Sequence, residues 1–391
     1  MTHALLVIIY LAFVSLGLPD GLLGAAWPAM HSDLGAAVST AGAVSMVICS
    51  GTVASSLLTD RLVRRLGTGG LTVASVALTA AALLGFSMSS AVWQLVAWAL
   101  PYGLGAGAVD ASLNAYVATH FEPLHMNWLH CCWGVGAAVG PMVMSRQMAG
   151  SGGWQGGYRV VFIAQVALVA VLLASLPLWR ERTRGGVGGA KRRGEAAAPR
   201  LGALVAQPGV PQAMAAFFCY SSLESSSGLW ASTYLVLGHG LPAQDAALLA
   251  SLFYAGIMVG RLLSGVLTLR LDGRQLLRLG EAVMAVGAAL LLLASGEFGL
   301  GAGLLLLGLG CAPIFPQMIQ LTPDRFGADA AQSLMGVQMA SAYVGSMAFP
   351  PLVGFVVGSV SPLLLPVLVA VLTVLMSALI WSCDRRVAAA R

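Results

Sequence analysis

Charge is what this sequence has least of. Asp, Glu, Lys and Arg make up 9% of its 391 residues, whereas an ordinary soluble domain carries about 25%. With 58% hydrophobic residues and a mean hydropathy of +0.86, so much apolar surface cannot be hidden in a soluble core, and lipid must be the solvent. The small positive excess, +5, is not gathered with aromatics on a folded basic face, which excludes a nucleic-acid partner. Cysteine is scarce as well. Cys49, Cys131, Cys132, Cys219, Cys311 and Cys383 lie in or beside apolar segments, at spacings that suit neither a disulfide frame nor a zinc site. The sequence has no G-x-x-x-x-G-K-[ST] loop, so an ion gradient or downhill flow must supply any driving force. The string GLGAGAVD has no strand before it and reads as helix packing. Neither a cofactor nor a metal is implied, and no catalytic cluster sits at an interface, so an enzyme is not expected. The opening MTHALLVIIYLAF has no basic start and no small-residue cleavage site, and it reads as a first spanning helix, not a signal peptide.

What the chain does have is apolar runs. Twelve segments reach spanning length, at about 5–30, 37–59, 69–89, 93–118, 128–150, 157–179, 210–237, 245–269, 276–295, 299–321, 331–357 and 362–382. Helices are expected because each backbone group must be satisfied within its own segment. The 48 glycines suit close helix–helix packing, and Pro28, Pro141, Pro316 and Pro350 are candidate kinks. Seventeen of the twenty Lys and Arg residues fall in even-numbered loops or at the C-terminus, with only Arg146 and Arg159 on the other side. Both termini are therefore expected in the cytoplasm, in a multi-pass inner-membrane protein. Arg261 lies inside helix 8 and is read as a structural partner of Glu281. The Gly-, Ala- and Arg-rich stretch 180–208 separates an N-terminal half, 1–179, from a C-terminal half, 209–391, and is read as a cytoplasmic linker. The halves look like repeats: DGLLGAAW in helix 1 is similar to ESSSGLW in helix 7, and GLGAGAVDASLNAY in helix 4 to GLGCAPIFPQMIQL in helix 10.

After helix 2 comes SSLLTDRLVRRLG, which resembles the Gly-x-x-x-Asp-Arg-x-Gly-Arg-Lys signature of the major facilitator superfamily. Ser56 stands for the first glycine, Asp60 and Arg61 match, Val63 replaces the second glycine, and Arg64 and Arg65 close the motif. With twelve helices split six and six, the resemblance covers the whole chain. Within the superfamily the chain is similar to the fucose:proton symporter branch and its glucose-transporter-like relatives. Asp20 matches a carboxylate in helix 1. Asp110 and Asn114 match an acid followed four residues later by Asn in helix 4. Asn127, His130 and Gly140–Pro141 match a helix 5 pattern, and IFPQ a Phe-Pro element of helix 10. The resemblance implies an all-α fold of two pseudo-symmetric six-helix halves that rock around a central site. It also implies Asp60, Arg61, Arg64 and Arg65 as a gate that ties cytoplasmic helix ends in one state.

Three of the fifteen acids lie deep in helices: Asp20, Asp110 and Glu224. A charge at mid-membrane costs about 2.5–3.5 kcal/mol on insertion scales, so each needs a use. Asp110 is about 14 Å from the cytoplasmic end of its helix and Asp20 about 15 Å from the outer end of its own, at the helical rise per residue. That depth is where transporter sites sit, and apolar surroundings favour the neutral carboxyl, which suits a carrier of protons; sodium is the alternative coupling ion. The competing reading is a structural acid bonded to a neighbouring helix, and for Glu224 a brace for the serines around it. Asn114, Asn127, Gln317, Gln320 and Gln338 supply donors and acceptors at depth, as sugar hydroxyls require, although each is also an ordinary interhelical hydrogen-bonding residue. His130 is a proton relay, a substrate contact or a packing histidine. Trp27, Trp133 and Trp230 offer flat faces to a sugar ring, with interfacial anchoring as the alternative. The expectation is a monomeric secondary transporter in the lipid bilayer, moving a small polar, sugar-like solute with protons. An exporter or drug:proton antiporter of the same fold is the alternative.

Overall fold

The computed structural model describes residues 2–185 and 201–390, and these are helical almost throughout. In chain order the helices are α1 (Thr2–Gly17), α2 (Leu22–Asp33), α3 (Thr40–Met88), α4 (Val92–His120), α5 (Pro123–Ala149), α6 (Gly153–Gly185) and the short α7 (Leu201–Val205). They continue with α8 (Val210–His239), α9 (Ala243–Leu267), α10 (Gly273–Leu293), α11 (Glu297–Gln320), the short α12 (Thr322–Phe326), α13 (Ala328–Ser359) and α14 (Leu364–Ala390). Nine candidate spans among the described residues are long and apolar enough to cross a membrane. One of these is the 49-residue α3, long enough for two passes and broken at Gly67, whose φ of +70° and ψ of +162° an L-residue with a side chain rarely adopts. The more polar α5 and α8, of 27 and 30 residues, complete the twelve passes. Large apolar side chains such as Ile163 and Val374 point outward, more than half exposed, as a lipid-facing surface requires.

The first pass is not one helix. The sequence reading runs it unbroken through 5–30 with a candidate kink at Pro28, but the helix is interrupted at 18–21 and resumes as α2. Pro19 lacks an N–H and disfavours helical geometry at Leu18. Around it, turn bonds from Asp20 N–H to Gly17 O and from Leu22 N–H to Pro19 O replace the regular ladder. Pro28 itself lies within α2, and α5, α11 and α13 run through Pro141, Pro316 and Pro350.

The pseudo-symmetry is visible in packing. Gly103 of α4 lies so close to α3 that a Cβ there would collide with Ile48 O, and Gly308 of α11 approaches Phe253 O of α9 in the same manner. Between the halves, α5 packs along α9, α2 against α8 and the start of α3 against the end of α13. The tightest of these contacts lie towards the face opposite the termini. A Cβ on Gly24 would come within 2.6 Å of Gly228 O and one on Gly42 within 2.5 Å of Pro351 Cα, while one on Gly358 would meet Val38 Cβ at 3.2 Å. At the ends of α9 and α13 on the termini face, by contrast, a Cβ on Gly265 or Gly336 would meet nothing within 4 Å. The halves are therefore pressed together on the face opposite the termini.

Candidate functional site

Between the halves lies a cavity of about 380 Å³, within the range of small-molecule sites. Both halves build its wall. Asp20 enters from the α1–α2 break, Tyr102 and Asp110 from α4, His130 and Trp133 from α5, Tyr220 and Glu224 from α8, Arg261 from α9 and Tyr343 from α13. Asp20 is deep in the molecule yet exposed to this cavity. That resolves the cost of a carboxylate in an apolar run: irregular backbone and charge are tolerated at membrane depth where they line a cavity. Two donors hold it. Trp133 Nε1–H donates to Oδ2 at 2.6 Å and Tyr102 O–H to Oδ1 at 3.1 Å. Asp110 is near enough for its charge to act on Asp20. One turn along α4, the Asn114 amide donates to Asp110 Oδ1 at 2.9 Å and to Asp110 O at 3.0 Å. Asn114 therefore orients the acid and is not itself part of the wall.

Glu224 faces the same space from the other half. The brace reading does not fit, because the hydroxyls of Ser222, Ser226 and Ser227 are buried without any hydrogen-bond partner among the described residues. His130 meets the Phe13 ring edge-on at 6.0 Å between centroids and sits on the cavity wall.

Several expected contacts lie elsewhere. Trp27 is fully buried, with its N–H on Val38 O at 2.7 Å, and Trp230 is fully buried with its N–H on Pro350 O at 2.9 Å. Both belong to the closed seam between the halves, since each indole found a backbone carbonyl there. Gln317 is buried facing Gly273 at the start of α10. Gln338 accepts from Thr322 O–H at 2.9 Å, and Gln320 is exposed. The Asn127 side chain lies outside the described residues, as do the linker positions 186–200. Asp60, Arg61, Arg64 and Arg65 stand on α3, which continues as helix to Gly67 where the sequence reading has a loop, and all four are exposed or nearly so.

Arg261 is the clearest correction. Its guanidinium lies over the Trp133 ring, 4.8 Å from the centroid, and lines the cavity. Glu281 has other company, Ser377, Arg278, Asp384 and Arg325. Among the cavity residues not singled out from the sequence as site residues are Arg261, Tyr102, Tyr220 and Tyr343. Only Arg261 carried a signal, as the one base inside a span.

The sequence profile of the Major Facilitator Superfamily matches residues 9–297 and 243–389. The chain belongs to this superfamily. It is a transporter and a multi-pass membrane protein, with the all-α fold of two six-helix halves. Among solved structures it is similar to the nucleoside transporter NupG, in a point-mutant form, at 15% identity and a TM-score of 0.75, covering 96% of this chain and 98% of that one. It is also similar to a bacterial homologue of the human lysosomal transporter Spinster, described as inward-facing and occupied. Here the identity is 10% and the TM-score 0.67, covering 99% of this chain and 95% of that one. At such identities the likeness shows the fold of this facilitator. No curated protein sequence matches it.

Proposed function

We propose that this facilitator is a proton-coupled secondary transporter of a small polar, sugar-like solute, working by alternating access. The observation that carries the reading is the central cavity, where carboxylates from both halves, Asp20, Asp110 and Glu224, share one wall with aromatic rings. A solute held there touches both halves, so their rocking can transfer it from one face to the other. Asp20 is reachable from the cavity and held by neutral donors from Trp133 and Tyr102, so no fixed cation competes with a proton for it. Protonation and solute binding then favour the same arrangement, which is how a gradient drives accumulation. The sequence resemblance to the fucose:proton symporter branch supports a sugar-like solute, and the likeness to NupG, a nucleoside transporter, supports a polar one. The basic loops favour a cytoplasmic termini face in the inner membrane, in which case the closed seam lies towards the outer face.

The test is uptake by the reconstituted protein in proteoliposomes across a panel of sugars and nucleosides, with and without a proton gradient. Accumulation of one of them driven by the gradient supports the reading. Uptake driven by sodium instead would replace the coupling ion. Carriage of lipophilic cations in exchange for protons, with no sugar uptake, would favour the exporter.

A further inference from the structure

We propose that the transported solute carries a carboxylate on its sugar-sized body, and that Arg261 is the residue that receives it. The inference rests on the transporter reading of the same cavity and names the class of solute. Among the described residues, Arg261 is the one Lys or Arg on the cavity wall. Its guanidinium lies over the Trp133 ring, an arrangement that fixes the group and leaves its in-plane N–H fork free. No described residue takes up that fork by an ion pair or hydrogen bond. Glu224 is near enough for its charge to act on it but forms no ion pair with it. A fixed fork of unused donors in a cavity between two halves is the geometry of bidentate carboxylate recognition.

The other charges make such a solute dependent on protons. Around Arg261 stand Glu224 and Tyr220 from α8 and His130 and Cys131 from α5. Around Asp20 stand Tyr102 and Asp110 from α4, Trp133 from α5, Tyr254 from α9 and Cys49 from α3. With Asp20, Asp110 and Glu224 all ionised, the cavity opposes an anion. Protons on Asp20 and Asp110 remove two of the three negative charges, so the anion enters with protons and not without them. A neutral sugar would have no such requirement, and an amino sugar would have the opposite one.

Isothermal titration of the purified full-length protein tests this, with glucuronate, galacturonate and gluconate as probes against their neutral parent sugars and glucosamine. The acids are expected to bind more tightly than the others and more tightly at acidic than at alkaline pH. Arg261→Gln should weaken them roughly ten- to hundredfold, the worth of hydrogen bonds to a charged group. Arg261→Lys, which keeps the charge without the fork, should retain part of the affinity and carries the test if the Gln variant fails to fold. Failure of every acid to bind, preference for the neutral sugars or glucosamine, or unchanged acid binding in the Arg261 variants overturns the proposal. The transporter reading fails differently: Arg261-dependent binding of acids with no proton-driven uptake into proteoliposomes.

Discussion

Trp133 on α5 holds Asp20, at the break between α1 and α2, through an indole N–H···Oδ2 bond of 2.6 Å. The link joins a coupling candidate to a ring that also lies under the guanidinium of the other half. Trp133→Phe keeps the ring and removes the donor. A hydrogen bond to a charged group is worth about 1.5–3 kcal/mol, so proton-driven uptake should fall by roughly tenfold or more, with solute exchange less affected. Equal loss of both would show that the ring, and not the bond, is what matters.

Asp20→Asn mimics the protonated acid and keeps its shape. The variant is expected to bind solute and exchange it but not to concentrate it. Counterflow compared with pH-driven uptake in proteoliposomes separates the two, and full accumulation by the variant would return Asp20 to a structural role.

Gly24 of α2 lies where the halves meet, and a Cβ there would approach Gly228 O at 2.6 Å and Leu229 O at 2.8 Å. Gly24→Val should wedge this seam open. Overpacking costs about 1–3 kcal/mol, enough to shift a two-state balance roughly five- to hundredfold away from the conformation described here. Distance measurements between spin labels on the two halves at the face opposite the termini should lengthen, whereas an unchanged distribution would mean the seam relaxes locally.

Asp60 is exposed at the termini face and forms no ion pair with a described residue in this conformation. Any tether it makes must belong to the alternate state, when that face is shut. Asp60→Asn should therefore raise the reactivity of cysteines introduced along the cavity on the termini side. Normal transport with unchanged reactivity would remove the gating role.

Arg325 and Asp384 form an ion pair at 2.9 Å that joins α12 to α14, with the arginine side chain only 2% exposed. Removing the acid leaves a buried cation without its partner, which costs about 3–5 kcal/mol. Asp384→Asn should shorten the half-life of the detergent-solubilised protein at elevated temperature. A half-life equal to that of the parent would mean the guanidinium finds another acceptor, and Glu281 is the neighbour that could supply it.

The sequence by itself determined the solvent, the number of passes and which acids lie deep, because hydropathy and chain length are additive properties of a segment and lipid tolerates few exceptions. Asp20, Asp110 and Glu224 stood out for that reason, and all three line the cavity. Which way a helix faces is a different kind of fact. Helices that are apolar on every side carry no periodic stripe to mark the inward face, so Trp27 and Trp230 were as eligible for the cavity as Trp133, and only packing put two of them on backbone carbonyls in the seam and one against Asp20. Arg261 was paired with the wrong acid for the same reason: neighbouring helices in the chain suggested Glu281, whereas the apposition of α5 and α9 across the halves brought the guanidinium onto Trp133. Contacts between halves depend on the relative rotation and tilt of whole helices, which no local run of residues specifies.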